Sequence, residues 1–218
     1  MAPSEPLAPK IEGALLGPGI LPAEAAARLR AWEERGVGRA LVHPYLLEEL
    51  EAESRPGARL SGVVAYPEGG STLSTKRMEL LECLRLGARG ALVALTPGFL
   101  LGRSGEALRK EVAALLATAP ELEVRFLLPA AVLPPDGQDR FLRLLREHPP
   151  AGLVVPERAL GAAGAAEGAR RLKARLPRKV RLEVLCDPAS RAAAEAFLAA
   201  GAYSLTVFRP EVLLEAPP

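Results

Sequence analysis

Residues able to move protons or hold charge are few in this chain and fall at the ends of short apolar runs. His43, Glu68, Thr96, Glu157, Arg158, Asp187 and Arg209 each follow such a run, with Tyr66 placed to form a wall beside them. A histidine supplies a general base near neutral pH, a pair of carboxylates supplies an acid and a base, and an arginine holds an anionic group. His43 as base or metal ligand stands against a simpler role, in which it bonds to backbone at a strand end. A zinc site needs three or four converging ligands, and His43, Cys186 and Asp187 lie on runs far apart in order, so no metal is expected. Cys186 next to Asp187 suggests a nucleophile, but strand alternation turns Cys186 toward the helices with Leu182 and Val184. Cys83 sits among leucines and reads as core. Gly69-Gly70-Ser71-Thr72 fits either an anion cradle or a turn that caps a helix.

These residues need a scaffold, and the chain has the length for one. It holds 218 residues with a net charge of +2, from 28 basic and 26 acidic side chains. Arg and Glu dominate the charged set, Asn is absent and Gln138 is the only glutamine, a balance that suits a heat-adapted or GC-rich source. Basic residues are scattered, and the densest run, Arg170 to Arg181, reads as a solvated helix end, so nucleic acid is not an expected partner. No uncharged stretch is longer than Gly90–Gly102, which is too short to span a bilayer, and the first ten residues resemble neither a signal nor a transit peptide. Two cysteines form no disulfide framework, which points to the cytoplasm.

Strand-type and helix-type runs alternate throughout. The strands are expected at Ile11–Leu16, Arg39–His43, Leu60–Tyr66, Ala91–Leu95, Leu122–Leu128, Gly152–Val155, Val180–Leu185 and Ser204–Phe208. Helical stretches include Pro22–Arg35, Thr72–Leu86, Ser104–Thr118, Gln138–Glu147, Ala163–Arg175 and Pro188–Ala200, with a short last helix after Arg209. Ser104 is a candidate helix cap. Alternation implies right-handed crossovers and a parallel sheet. Eight units favour a closed (β/α)₈ TIM barrel over an open sheet, and Gly17-Pro18-Gly19 is a poor dinucleotide turn. The expectation is one barrel domain over residues 1–218, with 1–10 as an N-terminal extension and no cofactor. In such barrels active sites gather at the C-terminal ends of the strands, where the residues above fall.

Within that frame, Ile11-Glu12-Gly13-Ala14-Leu15-Leu16 with Pro18, Ala40-Leu41-Val42-His43-Pro44, and Val63-Val64-Ala65-Tyr66-Pro67-Glu68-Gly69 followed by Lys76 and Glu79 resemble the deoxyribose-phosphate aldolases in order and spacing. The resemblance implies a class I aldolase barrel that forms a Schiff base, and family habit implies a homodimer. It also implies losses. The reactive lysine falls on Val155, the proton-relay aspartate on Leu92 and the second lysine on Glu183, while Cys186 and Asp187 replace phosphate-binding glycines. A Schiff base requires an amine, and a carboxylate beside one would hold it protonated. Three readings therefore stay open: an inactive homologue with a binding or structural role, an enzyme using His43, Glu68, Glu157 and Arg209 on a small carbonyl or sugar compound, and a working aldolase. A small-molecule ligand at the barrel mouth is the partner to look for. Inside the barrel, Arg125 on strand five and Glu183 on strand seven share inward faces and are expected to form an ion pair. In the rival arrangement Arg125 holds an anionic ligand and Glu183 pairs with Arg181.

Overall fold

The computed structural model describes residues 6–53, 59–102, 105–128, 135–161, 164–188 and 190–214. Eight parallel strands close into a barrel in sequence order, β1 Ile11–Leu15, β2 Arg39–Val42, β3 Arg59–Val64, β4 Gly90–Ala94, β5 Glu123–Leu127, β6 Gly152–Pro156, β7 Arg181–Leu185 and β8 Ser204–Val207. The ring is sealed where Ile11, Glu12 and Gly13 pair with Leu205, Thr206 and Val207. Around it run α1 Pro22–Glu33, α2 Pro44–Glu53, α3 Leu73–Arg85, α4 Pro97–Leu101, α5 Glu106–Thr118, α6 Pro135–Glu147, α7 Ala165–Arg175, α8 Arg191–Ala199 and α9 Pro210–Leu214. The expected (β/α)₈ barrel is the fold. Among the described residues no helix is long and apolar enough to cross a membrane.

Several element ends differ from expectation for local reasons. Strand β3 stops at Val64 because Ala65 turns to φ 52°, with its N–H donating to Glu79 Oε2 at 2.7 Å. Helix α2 supplies the helical run after the second strand and α4 adds a short helix ahead of α5, each opening on a proline that suits a first helical turn. Ser104 lies outside the described residues, and α5 is preceded by Gly105 in the left-handed region.

Alternation along the strands divides the apolar residues into two cores. Outward side chains such as Val93, Phe126, Leu153, Val184 and Leu205 pack under the helices in one continuous shell. Helices approach closely at glycine: a Cβ on Gly13 would stand 2.1 Å from the Trp32 ring of α1. Trp32 Nε1 in turn donates to Glu211 Oε2 of α9 at 3.1 Å, and Arg28 donates to the Phe208 carbonyl at 2.9 Å, so the first helix is tied to the last. Inward side chains form the second core, which changes character with height. Its upper part is apolar, built from Ala14, Leu16, Leu41, Val63, Leu92, Ala94, Leu127 and Val154. The lower part is ionic.

Candidate functional site at the barrel mouth

The mouth is a cavity of about 750 Å³ at the C-terminal ends of the strands, walled by Tyr66, Glu68, Glu157, Arg158, Asp187 and Phe208 over a floor of Leu127, Pro156 and Leu185. Glu157 stands on the first residue of a 3₁₀ turn directly after β6, and Glu68 on the loop after β3. Glu68 also lines a neighbouring cleft of about 610 Å³ with His43, Tyr66, Ser71 and Glu79. The two carboxylates thus reach one space, and His43 reaches the adjoining one.

The remaining candidates are partly committed elsewhere. His43 Nε2 lies 3.2 Å from the Leu16 carbonyl, which can only accept, so that nitrogen carries the proton. Its ring also stacks on Tyr45 and meets the edge of Tyr66. Arg209 does not line the cavity; it holds Asp187, with Nη2 2.8 Å from Oδ2. Thr96 is taken up by a buried cluster, accepting from Lys76 Nζ at 3.0 Å and donating to Glu111 Oε1 at 2.7 Å. Burial raises the Tyr66 hydroxyl above its usual range, partly offset by Arg158. Cys186 is buried in the outer core against the back of the cavity, and burial with Glu157 and Asp187 pushes its thiol up to about 12. A thiol so held is no nucleophile near neutral pH. At Gly69 the φ of 67° and a carbonyl 2.2 Å from where a Cβ would sit demand glycine, while Thr72 caps α3 by accepting from the Thr75 N–H at 3.3 Å. That stretch is built as a turn and cap.

Below the mouth, Arg125 Nη1 donates to Glu183 Oε2 at 2.7 Å, the pair expected from the strand faces. The sequence reading missed its third member. Glu12 of β1 takes Arg125 in a two-pronged contact, Nη1 to Oε2 at 2.7 Å and Nη2 to Oε1 at 2.9 Å, and accepts from Thr206 at 2.9 Å. The three charged side chains are all but sealed from solvent. Burial pushes the Glu12 carboxyl up, but the Arg125 charge and hydrogen bonds, with help from Arg39 and Thr206, bring it below its ordinary value. Arg125 is itself raised, because both carboxylates outweigh its desolvation. Arg181 belongs to Glu123 at 2.8 Å and stands 3.7 Å from Glu183. The signal for Glu12 was available: an acidic residue at an inward position of β1, opposite an inward arginine.

All five lysines lie among the described residues, and none of them lines the mouth cavity. Lys10 borders the opposite end of the barrel, Lys110 pairs with Glu106 on α5, Lys173 lies on α7 and Lys179 precedes β7. Lys76, fully buried on α3, sits outside the strands, clamped by Glu111 Oε1 at 2.7 Å and the Ala94 carbonyl at 2.9 Å. Among the described residues no group of three or more His, Cys, Asp or Glu is placed to hold a metal ion.

No protein-family model matches the chain. Deoxyribose-phosphate aldolase of Natronomonas pharaonis is 28% identical over 126 residues, which cover 58% of this chain and 57% of that protein. Over that stretch this chain resembles the deoxyribose-phosphate aldolases. Its backbone superposes on the tetrameric deoxyribose phosphate aldolase of Aeropyrum pernix with a TM-score of 0.83 at 19% identity, covering 95% of this chain and 89% of that one. An aldolase described as QR15 gives 0.84 at 16% identity, over 95% and 94%. Leu92 and Glu183 occupy inward positions of β4 and β7. Val155 does not, and the expected placement needs correction: it belongs to the outer core, and the inward residue of β6 is Val154. Leu153-Val154-Val155 is apolar on both faces, so no polar residue marked the phase of alternation there.

Proposed function

We propose that this chain, acting over residues 1–218 as one barrel domain, is a non-Schiff-base relative of the deoxyribose-phosphate aldolases. On this reading its mouth binds a small polar molecule without cleaving it. The observation that carries this is the placement of the lysines: an imine to a sugar carbonyl needs an amine at the inner surface, and that surface is apolar above and ionic below. Two buried thiols fit a reducing cytoplasm. Self-association is part of the proposal, the tetrameric Aeropyrum pernix protein being one precedent among the neighbours.

The test is borohydride reduction in the presence of deoxyribose 5-phosphate, read by intact mass. The mass should stay unchanged, and an adduct on any lysine would overturn the reading. A second reading has one observation in its favour: Glu68 and Glu157 line the same cavity, as a general acid and base acting on a small carbonyl or sugar compound would. Turnover of such a compound that is lost in both Glu68→Gln and Glu157→Gln would select it.

A further inference from the structure

The barrel has a second opening, at the N-terminal ends of its strands, with a cavity of about 460 Å³. Lys10, Arg39, Arg59, Arg89, Arg125 and Arg181 line it, against the carboxylates of Glu12 and Glu123. Both carboxylates are already engaged, Glu12 with Arg125 and Thr206, and Glu123 with Arg181 at 2.8 Å and Arg89 at 3.6 Å. Setting Lys10 aside and counting Glu183 beneath Arg125, five arginines face three carboxylates, which leaves two positive charges over.

Arg39 shows where that excess is focused. Its Nε and Nη2 are shielded from solvent and have no hydrogen-bond partner among the described residues. Charged donors left buried without an acceptor are costly. The register makes the arrangement more demanding still: Arg39 of β2 is the direct neighbour of Arg59 of β3, and Arg89 precedes β4, where its N–H donates to the Leu60 carbonyl. Like charges set side by side on adjacent strands repel unless an anion lies between them. The rest of the wall leaves room. Gly38 has open space where a Cβ would stand, and Tyr203 offers a ring 5.9 Å from the Arg39 guanidinium and 5.0 Å from that of Arg181.

We propose that this opening is a binding site for a small phosphate-bearing anion, with Arg39 its principal donor and Arg59 and Arg89 at the rim. A carboxylate would satisfy one guanidinium fork. A tetrahedral dianion offers acceptors to donors arriving from three neighbouring strands, and it matches a surplus of more than one charge. The cavity falls in the ordinary size range of small-molecule sites, roughly 300–1,000 Å³. This site lies at the opposite end of the barrel from the mouth, and the proposal does not depend on what the mouth does.

The test is titration of the full chain with inorganic phosphate and with pyrophosphate at constant ionic strength held with chloride, followed by calorimetry and by phosphorus NMR line width. Saturable binding is expected, weakened about tenfold or more in Arg39→Met and also weakened in the rim variant Arg59→Ser/Arg89→Ser. Glu68→Gln at the mouth should bind as the parent does. Absence of saturable binding, affinity unchanged in the rim variant, or loss in Glu68→Gln would each overturn the proposal. Should Arg39→Met fail to fold, the rim variant alone decides.

Discussion

Arg125 carries the interior of the barrel at the level of single residues. It sits 2.7 Å from each of two carboxylates, whereas Arg181 stands 3.7 Å from Glu183, so removing Arg125 deprives both of their principal cation. Arg125→Met should cost about 3–5 kcal/mol in urea unfolding, whereas replacing Glu12, Arg125 and Glu183 together by apolar residues of similar size should come close to neutral. The pH dependence separates the two states of the site. Glu12 is more acidic folded than unfolded, so its contribution is present above the unfolded value and is lost as pH falls through the folded one. In Arg125→Met the buried Glu12 carboxyl loses that charge and its hydrogen bonds and becomes a weaker acid. Its contribution then reverses sign, and that variant should gain relative stability on acidification through the carboxylate range. The two thiols give a simpler check. Cys83 and Cys186 are both held up to about 12, chiefly by burial, so iodoacetamide at pH 8 should leave native protein unmodified and alkylate it fully only in denaturant.

At the scale of elements, the second buried ion pair does for the outer shell what Arg125 does inside. Lys76 joins α3 to the end of β4 and to Glu111 of α5, and α3 and α5 are packed neighbours. Lys76→Met should destabilise by about 3–5 kcal/mol because Glu111 is left charged and buried, and adding Glu111→Leu should recover much of that loss. Thr72→Ala, removing only the cap of α3, should cost about 1 kcal/mol. Both effects are readable by thermal unfolding. Lys76 also illustrates what periodicity reveals: it falls on the stripe of Leu80 and Cys83, and a charge on an apolar stripe announces a partner without naming it. The strands were legible because each is a short apolar run between polar breaks, and strand five declared its faces through Glu123 and Arg125. Strand six, apolar throughout, did not, and Val155 was turned the wrong way. Helix α8 shows the same limit, since Ala194 and Phe197 are covered while Ala196, equally apolar, is exposed. In an alanine-rich helix, most faces look equally apolar.

Taken whole, the molecule separates its chemistry by height. The mouth holds carboxylates and aromatic side chains, the upper interior is hydrocarbon, and the lower interior and far opening are ionic. Barrel position predicted where the mouth residues would gather, and strand order alone brought Glu68 and Glu157 to one cavity. It gave no notice that Arg209 would be spent on Asp187, a contact between side chains from neighbouring strand ends. Nor did it disclose the far opening, because Arg39, Arg59 and Arg89 are separated by twenty and thirty residues of chain and meet only through the strand register.

That closure has an optical consequence. The chain contains a single tryptophan, and Trp32 is buried against Gly13 of the first strand while its indole nitrogen holds Glu211 of the last helix. Its fluorescence therefore reports on the seam where the two ends of the chain meet. Emission should be blue-shifted in the native protein. Glu211→Ala, which frees the indole nitrogen and loosens α9 without touching the interior, should shift the emission to the red before circular dichroism records any loss of helix. A red shift that appears only with global unfolding would mean that the seam opens no earlier than the rest.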